Sequence, residues 1–103
     1  MAREIQGFVY VLGSPNSEHI KIGGTEKPLL GRLRAINGTP PYSNSGPWQV
    51  SDFRHVTDWR LVERRLHQHF HSRRVGEDVA RELFAVSVFE SRKQLGLINP
   101  SFA

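Results

Sequence analysis

The sequence contains no cysteine, which excludes disulfides, thiolate-held zinc and a cysteine nucleophile together. A reducing compartment is compatible with that, and a cytoplasmic location is the expectation. No apolar run approaches the roughly 20 residues a membrane span requires. Met1-Ala2-Arg3-Glu4 leads into no long apolar stretch, so neither an anchor nor a secretory signal is expected. Lysine is scarce as well, with Lys21, Lys27 and Lys93 against eleven arginines. Hydrophobic residues form only 38% of the chain, so its core must be thin. Aromatics nevertheless reach 10%, which argues for a folded domain rather than a disordered tail. At 103 residues the chain has the length of one domain, read here as 1–103.

The basic excess is modest in amount and distinctive in kind. Fourteen basic against ten acidic residues leave a formal charge of +4. The planar arginine fork pairs with phosphate through two hydrogen bonds and keeps its charge. An arginine-rich domain with this aromatic content fits nucleic acid as a partner. Codon usage that favours arginine over lysine gives the same composition, so charge alone leaves both readings open.

Residues 5–12 are β-branched and aromatic, and 19–23 alternate polar with apolar, so the two pair as a hairpin across 13–17. Thr25 is expected to cap a first helix with Glu26 and Pro28 in its opening turn and Leu29, Leu30, Leu33 and Ile36 on one face. Residues 38–47 carry loop signals throughout. A strand follows over 48–56 with Val50 and Phe53 inward. A helix runs from Thr57 or Asp58 to about Ser72, a short strand lies over 83–86, and Ser87 caps a last helix (about 87–98) with Phe89, Leu95 and Ile98 as its apolar positions. The order β-β-α-β-α-β-α predicts an α+β fold, a small sandwich of helices on a mostly antiparallel sheet.

The long helix holds two stripes. With residues about 100° apart, Trp59, Val62, Leu66 and Phe70 share one face, while Arg60, Arg64, His67 and His71 share another. Glu63 lies at the border, placed either to hold a cation near phosphate or to make ordinary helix-surface pairs. On the first helix Arg32 and Arg34 flank the apolar stripe on opposite sides, and periodicity does not choose between them. His67, His69 and His71 form an HxHxH run, but only His67 and His71 share a face. Without cysteine to complete a tetrahedral site, a zinc-stabilised interaction domain is the weaker alternative. Tyr42 and Asn44, in the 38–47 loop, could reach a groove or stack on a base. Trp48 and Trp59 read first as core anchors.

Four segments in this order resemble the GIY-YIG endonuclease domain. Gly7-Phe8-Val9-Tyr10 is similar to its first motif, and Lys21-Ile22-Gly23, eleven residues on, to its second, with lysine in place of tyrosine. Arg32 in GRLRAIN and Glu63 in LVERRLHQHF fall where that family carries its helix arginine and its metal-binding glutamate. Arg81-Glu82-Leu83-Phe84 resembles the ending of a phage-type subfamily linked to DNA binding, which often has KIG in the second motif. The resemblance spans about residues 6–88.

It implies a metal-dependent DNA endonuclease, from a phage, mobile-element or defence setting. Tyr10 would take part in activating the nucleophile, Arg32 would bind the scissile phosphate, and Glu63 would hold one Mg²⁺ or Mn²⁺ ion. Lys21 would act either as a proton carrier with lowered pKa or as a point charge toward phosphate. His67, one turn after Glu63, would orient a metal-bound water or contact phosphate. Gly23 and Gly24 would allow close backbone approach at the strand end. Arg34, Tyr42, Arg60, Arg64 and His71 would contact DNA. The alternative is a non-catalytic DNA-binding module on the same fold, and a homodimer fits either reading.

Overall fold

A computed structural model describes residues 5–75 and 82–97. Strands β1 (Gly7–Gly13) and β2 (Ile20–Thr25) form the expected hairpin. Helix α1 (Leu29–Gly38), strand β3 (Gln49–Val56), helix α2 (Trp59–His69), strand β4 (Leu83–Phe84) and helix α3 (Val88–Gly96) follow. The sheet is antiparallel in the order β3-β1-β2-β4, which makes this an α+β fold. No described helix is long and apolar enough to cross a membrane.

Alternation along the strands divides the core in two. Val9, Val11, Ile22 and Val56 turn toward α2 and α3 and meet Val62, Leu66, Phe70 and Leu95 there. Tyr10 and Leu12 turn the other way and meet Leu29, Leu33 and Ile36 of α1 together with Trp48. The helix starts follow side-chain chemistry. Asp58 Oδ1 accepts the Leu61 amide of α2 at 3.3 Å, and Ser87 Oγ accepts the Glu90 amide of α3 at 2.9 Å.

Three expectations are corrected. Thr25 does not cap α1: it stays in β2 opposite Phe8, and its hydroxyl accepts the Lys27 amide at 3.0 Å in a local turn. Pro28 disfavours helical geometry at Lys27, so the helix waits until Leu29. Helix α2 ends at His69, and residues 71–73 form a separate 3₁₀ turn beyond the buried Phe70. Phe53 and Phe89 do not join the core, being 50% and 77% exposed. Phe53 is on the inward face opposite Tyr10, but α1 does not extend over it. On α3 the inward positions are Val88, Ser91 and Leu95, and Phe89 is one residue out of phase. Ile98 and Arg81 lie outside the described residues.

The loop after α1 is fixed by Asn37, whose side chain donates to the Trp48 carbonyl at 3.0 Å and accepts the Trp48 amide at 2.7 Å. The Trp48 indole donates to the Tyr42 carbonyl at 2.8 Å. Residues 42–45 of this loop form a 3₁₀ turn.

Candidate functional site

Strand β4 pairs only with Ile20 and Lys21, which leaves the outer edge of β2 beyond Lys21 without a strand partner. Those backbone groups still need satisfying. The Ile22 amide donates to the Glu82 carbonyl at 3.1 Å. The Ile22 carbonyl accepts from His67 Nε2 at 2.8 Å. The Gly24 amide donates to the Glu63 carboxylate. Side chains of α2 therefore close a sheet edge, and in doing so they meet groups that approach from the opposite face.

On that opposite face lie Tyr10, Lys21, Gly23 and, from α1, Arg32. The Arg32 Nε–H donates to the Tyr10 hydroxyl at 3.4 Å. The Lys21 ammonium donates to Glu82 Oε1 at 2.5 Å and lies between two rings, 5.5 Å from the centroid of Tyr10 and 4.7 Å from that of Tyr42. Gly23 is the floor of this cluster. A Cβ there would approach the Tyr10 hydroxyl to 2.6 Å and Glu82 Oε1 to 2.7 Å, so only glycine leaves both atoms in place. Gly24 has a parallel role on the α2 side, where a Cβ would lie 2.5 Å from the Trp59 ring.

Burial sets the electrostatics. Lys21 is fully buried, so desolvation lowers its pKa from the ordinary lysine range, while Glu82 opposes that shift. Its ammonium meets Glu82 and two aromatic faces rather than solvent. Burial pushes the Tyr10 phenol up to about 12, with the Arg32 hydrogen bond pulling the other way. The same bond to Tyr10 holds Arg32 more firmly in its charged form. Glu63 is raised to about 7, first by burial and then by repulsion from Glu82, with Lys21 and the Gly24 amide opposing. Burial lowers the pKa of His67, so its imidazole is neutral at pH 7. Because Nε2 faces a carbonyl it carries the proton, leaving a lone pair on Nδ1.

A cleft of about 450 Å³ opens beside α2, lined by Arg60, Glu63, Arg64, His67 and His71, with Trp59, Arg74 and Glu82 at its sides. A smaller groove of about 260 Å³ runs from Trp59 past Gly24, Thr25, Glu26 and Lys27 to Arg32. Of the two α1 arginines, Arg32 is half-buried and faces the cluster. Arg34 is exposed and, two residues on, points to the other flank of the helix. Tyr42 is half-buried with its ring over Lys21 and its edge toward Trp48. His69 is exposed and turns its ring against Phe70, apart from His67. Among the described residues no three of His, Asp or Glu gather into a metal-binding group, and His67 Nε2 is already engaged.

Three contributors escaped the sequence reading: Glu82, Arg74 and the cleft-lining role of Trp59. The matching run RELF did include Glu82, but its ion pair with Lys21 spans 61 positions, beyond any local pattern.

Residues 7–99 match the T5orf172 domain. The chain belongs to that family. No curated protein and no solved structure matches it. The match to the T5orf172 domain begins at the first residue of β1 and runs past the end of α3, so it takes in every element that contributes to the cluster.

Proposed function

We propose that this T5orf172 domain is a metal-dependent DNA endonuclease of the GIY-YIG kind, hydrolysing phosphodiester bonds. One observation carries the reading. Tyr10, Lys21 and Arg32 from one face of the sheet, and Glu63 and His67 from the other, meet around the outer edge of β2, beside an arginine-lined cleft.

In this reading Arg60, Arg64 and Arg74 hold the phosphates of a strand along the cleft. Arg32 spends one N–H on Tyr10 and offers its remaining donors to the scissile phosphate. The Tyr10 hydroxyl orients the attacking water, and the neutral His67 offers a lone pair within the same cluster. Glu63 suits a hard divalent cation: its carboxylate is partly buried next to a second carboxylate, and a cation would relieve the repulsion that raises its pKa. Mg²⁺ keeps several waters and takes one or two carboxylates, so Glu63, with Glu82 nearby, is a sufficient donor set. Such an ion supplies Lewis-acid polarisation of the phosphate.

A non-catalytic DNA-binding module is the second reading, and it too has a specific observation. Tyr10 and Lys21 are both fully buried, the first holding its proton to about pH 12 and the second locked to Glu82. The Tyr10 phenol is therefore not ready to accept a proton at neutral pH, and the Lys21 ammonium faces Glu82 rather than the cleft. The dividing experiment is incubation with supercoiled plasmid and Mg²⁺ or Mn²⁺, beside Glu63→Gln and Arg32→Ala. The enzymatic reading expects nicking that both variants lose by at least a hundredfold. Equal residual nicking in all three proteins, or salt-sensitive binding without nicking, leaves the binding module.

A further inference from the structure

The face of the sheet that carries Tyr10 is only half covered. Helix α1 lies over Tyr10 and Leu12, and beyond them the same face presents Phe8 on β1 with Phe53 and His55 on β3. The register sets Phe53 beside Tyr10 and His55 beside Phe8, so these residues share one side of adjacent strands. Their rings form one patch, with Phe8 6.1 Å from Phe53 and 5.1 Å from His55. Phe53 is half exposed and His55 is exposed. Phe8 itself is partly buried, whereas Phe53 and His55 stay open.

Two features determine what could cover them. Across the sheet Phe8 is paired with Thr25, and Thr25 lines the groove that runs through Lys27 to Arg32 on one side and to Trp59, at the mouth of the arginine-lined cleft, on the other. The aromatic patch is therefore continuous with a groove where two cations, Lys27 and Arg32, outnumber one carboxylate, Glu26. Its own acidic neighbour in sequence, Asp52, falls on the opposite face through pairing with Val11 and binds Arg92 there. Exposed rings, Phe53 and His55 inclined at 61° and 52° to Phe8, beside a groove of net positive charge have the chemistry of a base-stacking surface.

We propose that Phe8, Phe53 and His55 form a platform on which unpaired bases of a DNA strand stack while its phosphates follow the groove past Arg32 and Lys27. The proposal rests on the nucleic-acid reading above and narrows it: the preferred substrate carries unpaired bases next to the cleft.

The test is fluorescence anisotropy in EDTA with two labelled DNA strands of equal length, one with bases and one abasic, compared for the wild type, Phe53→Ala, His55→Ala and Phe53→Trp. Wild type is expected to bind the base-bearing strand at least tenfold more tightly, a ratio of the size one stacked base gives. Phe53→Ala and His55→Ala should shrink that ratio severalfold without weakening binding to the abasic strand, which also certifies that they fold. Phe53→Trp should keep it. Equal wild-type binding to both strands overturns the platform and leaves the nucleic-acid reading intact. Failure to bind either strand overturns both. Size-exclusion chromatography adds a further arm: a dimer dispersed by Phe53→Ala with the ratio unchanged overturns the platform in favour of a contact between copies.

Discussion

Glu63 makes two conflicting demands on its surroundings. Its carboxylate accepts the Gly24 amide and helps close the sheet edge, yet burial and Glu82 penalise its charge and raise its pKa to about 7. An unfolded glutamate releases its proton near pH 4.5, so between 4.5 and 7 the folded state binds more protons. Stability therefore falls as pH rises through that window and stays reduced above it. The loss is on the order of 1–3 kcal/mol. Glu63→Gln keeps an oxygen for the Gly24 amide and removes the charge. In EDTA at pH 8 its Tm should exceed that of wild type by roughly 5 °C or more, with the two converging at pH 4. Added Mg²⁺ at pH 8 should raise the Tm of wild type and not of the variant. A difference that is independent of pH would contradict the assigned cause.

At the scale of elements, α2 is docked on the sheet through one large ring and two missing side chains. Trp59 opens the helix, its amide donating to the Ile5 carbonyl at 3.2 Å, and its indole occupies the space over Gly7 and Gly24. A Cβ on Gly24 would come within 2.5 Å of the Trp59 ring and 3.2 Å of the Phe8 carbonyl. Gly24→Ala should cost about 1–3 kcal/mol in urea unfolding, as overpacking does. The double variant Gly24→Ala/Trp59→Leu should lose less than the sum of its singles, because the smaller side chain removes the clash. Additive losses would mean that the glycine is needed for something other than the ring. These contacts also mark how far the sequence could be read. Strand alternation and helical stripes gave the element order, the two faces of α2 and the grouping of Arg60, Arg64, His67 and His71, because each depends on local period alone. They misplaced Phe53 and Phe89, since whether an inward position is covered depends on where a distant element stops. They gave Glu82 no role because its partner Lys21 is reached only when β4 pairs with β2. Gly24 was legible as a close approach, but the ring that approaches was not.

For the molecule as a whole, the modest net charge matters less than where the fold gathers it. Arg60, Arg64 and Arg74 line one cleft, Lys27 and Arg32 line the groove that continues it, and Arg34 is exposed on the other flank of α1. A strand following this track would release condensed counterions from each phosphate it pairs, roughly 0.7 per contact for a single strand and 0.9 for a duplex. Four to five such contacts give a plot of log K against log salt with a slope near −3 to −4. Arg60→Ala and Arg64→Ala should each weaken binding and flatten that slope by about one unit, whatever the sequence of the DNA. Arg34→Ala removes the same formal charge from the opposite side of its helix. If total charge governed binding, all three variants would behave alike. If placement governs it, Arg34→Ala keeps the wild-type slope, and titrations from 50 to 200 mM salt separate the two cases.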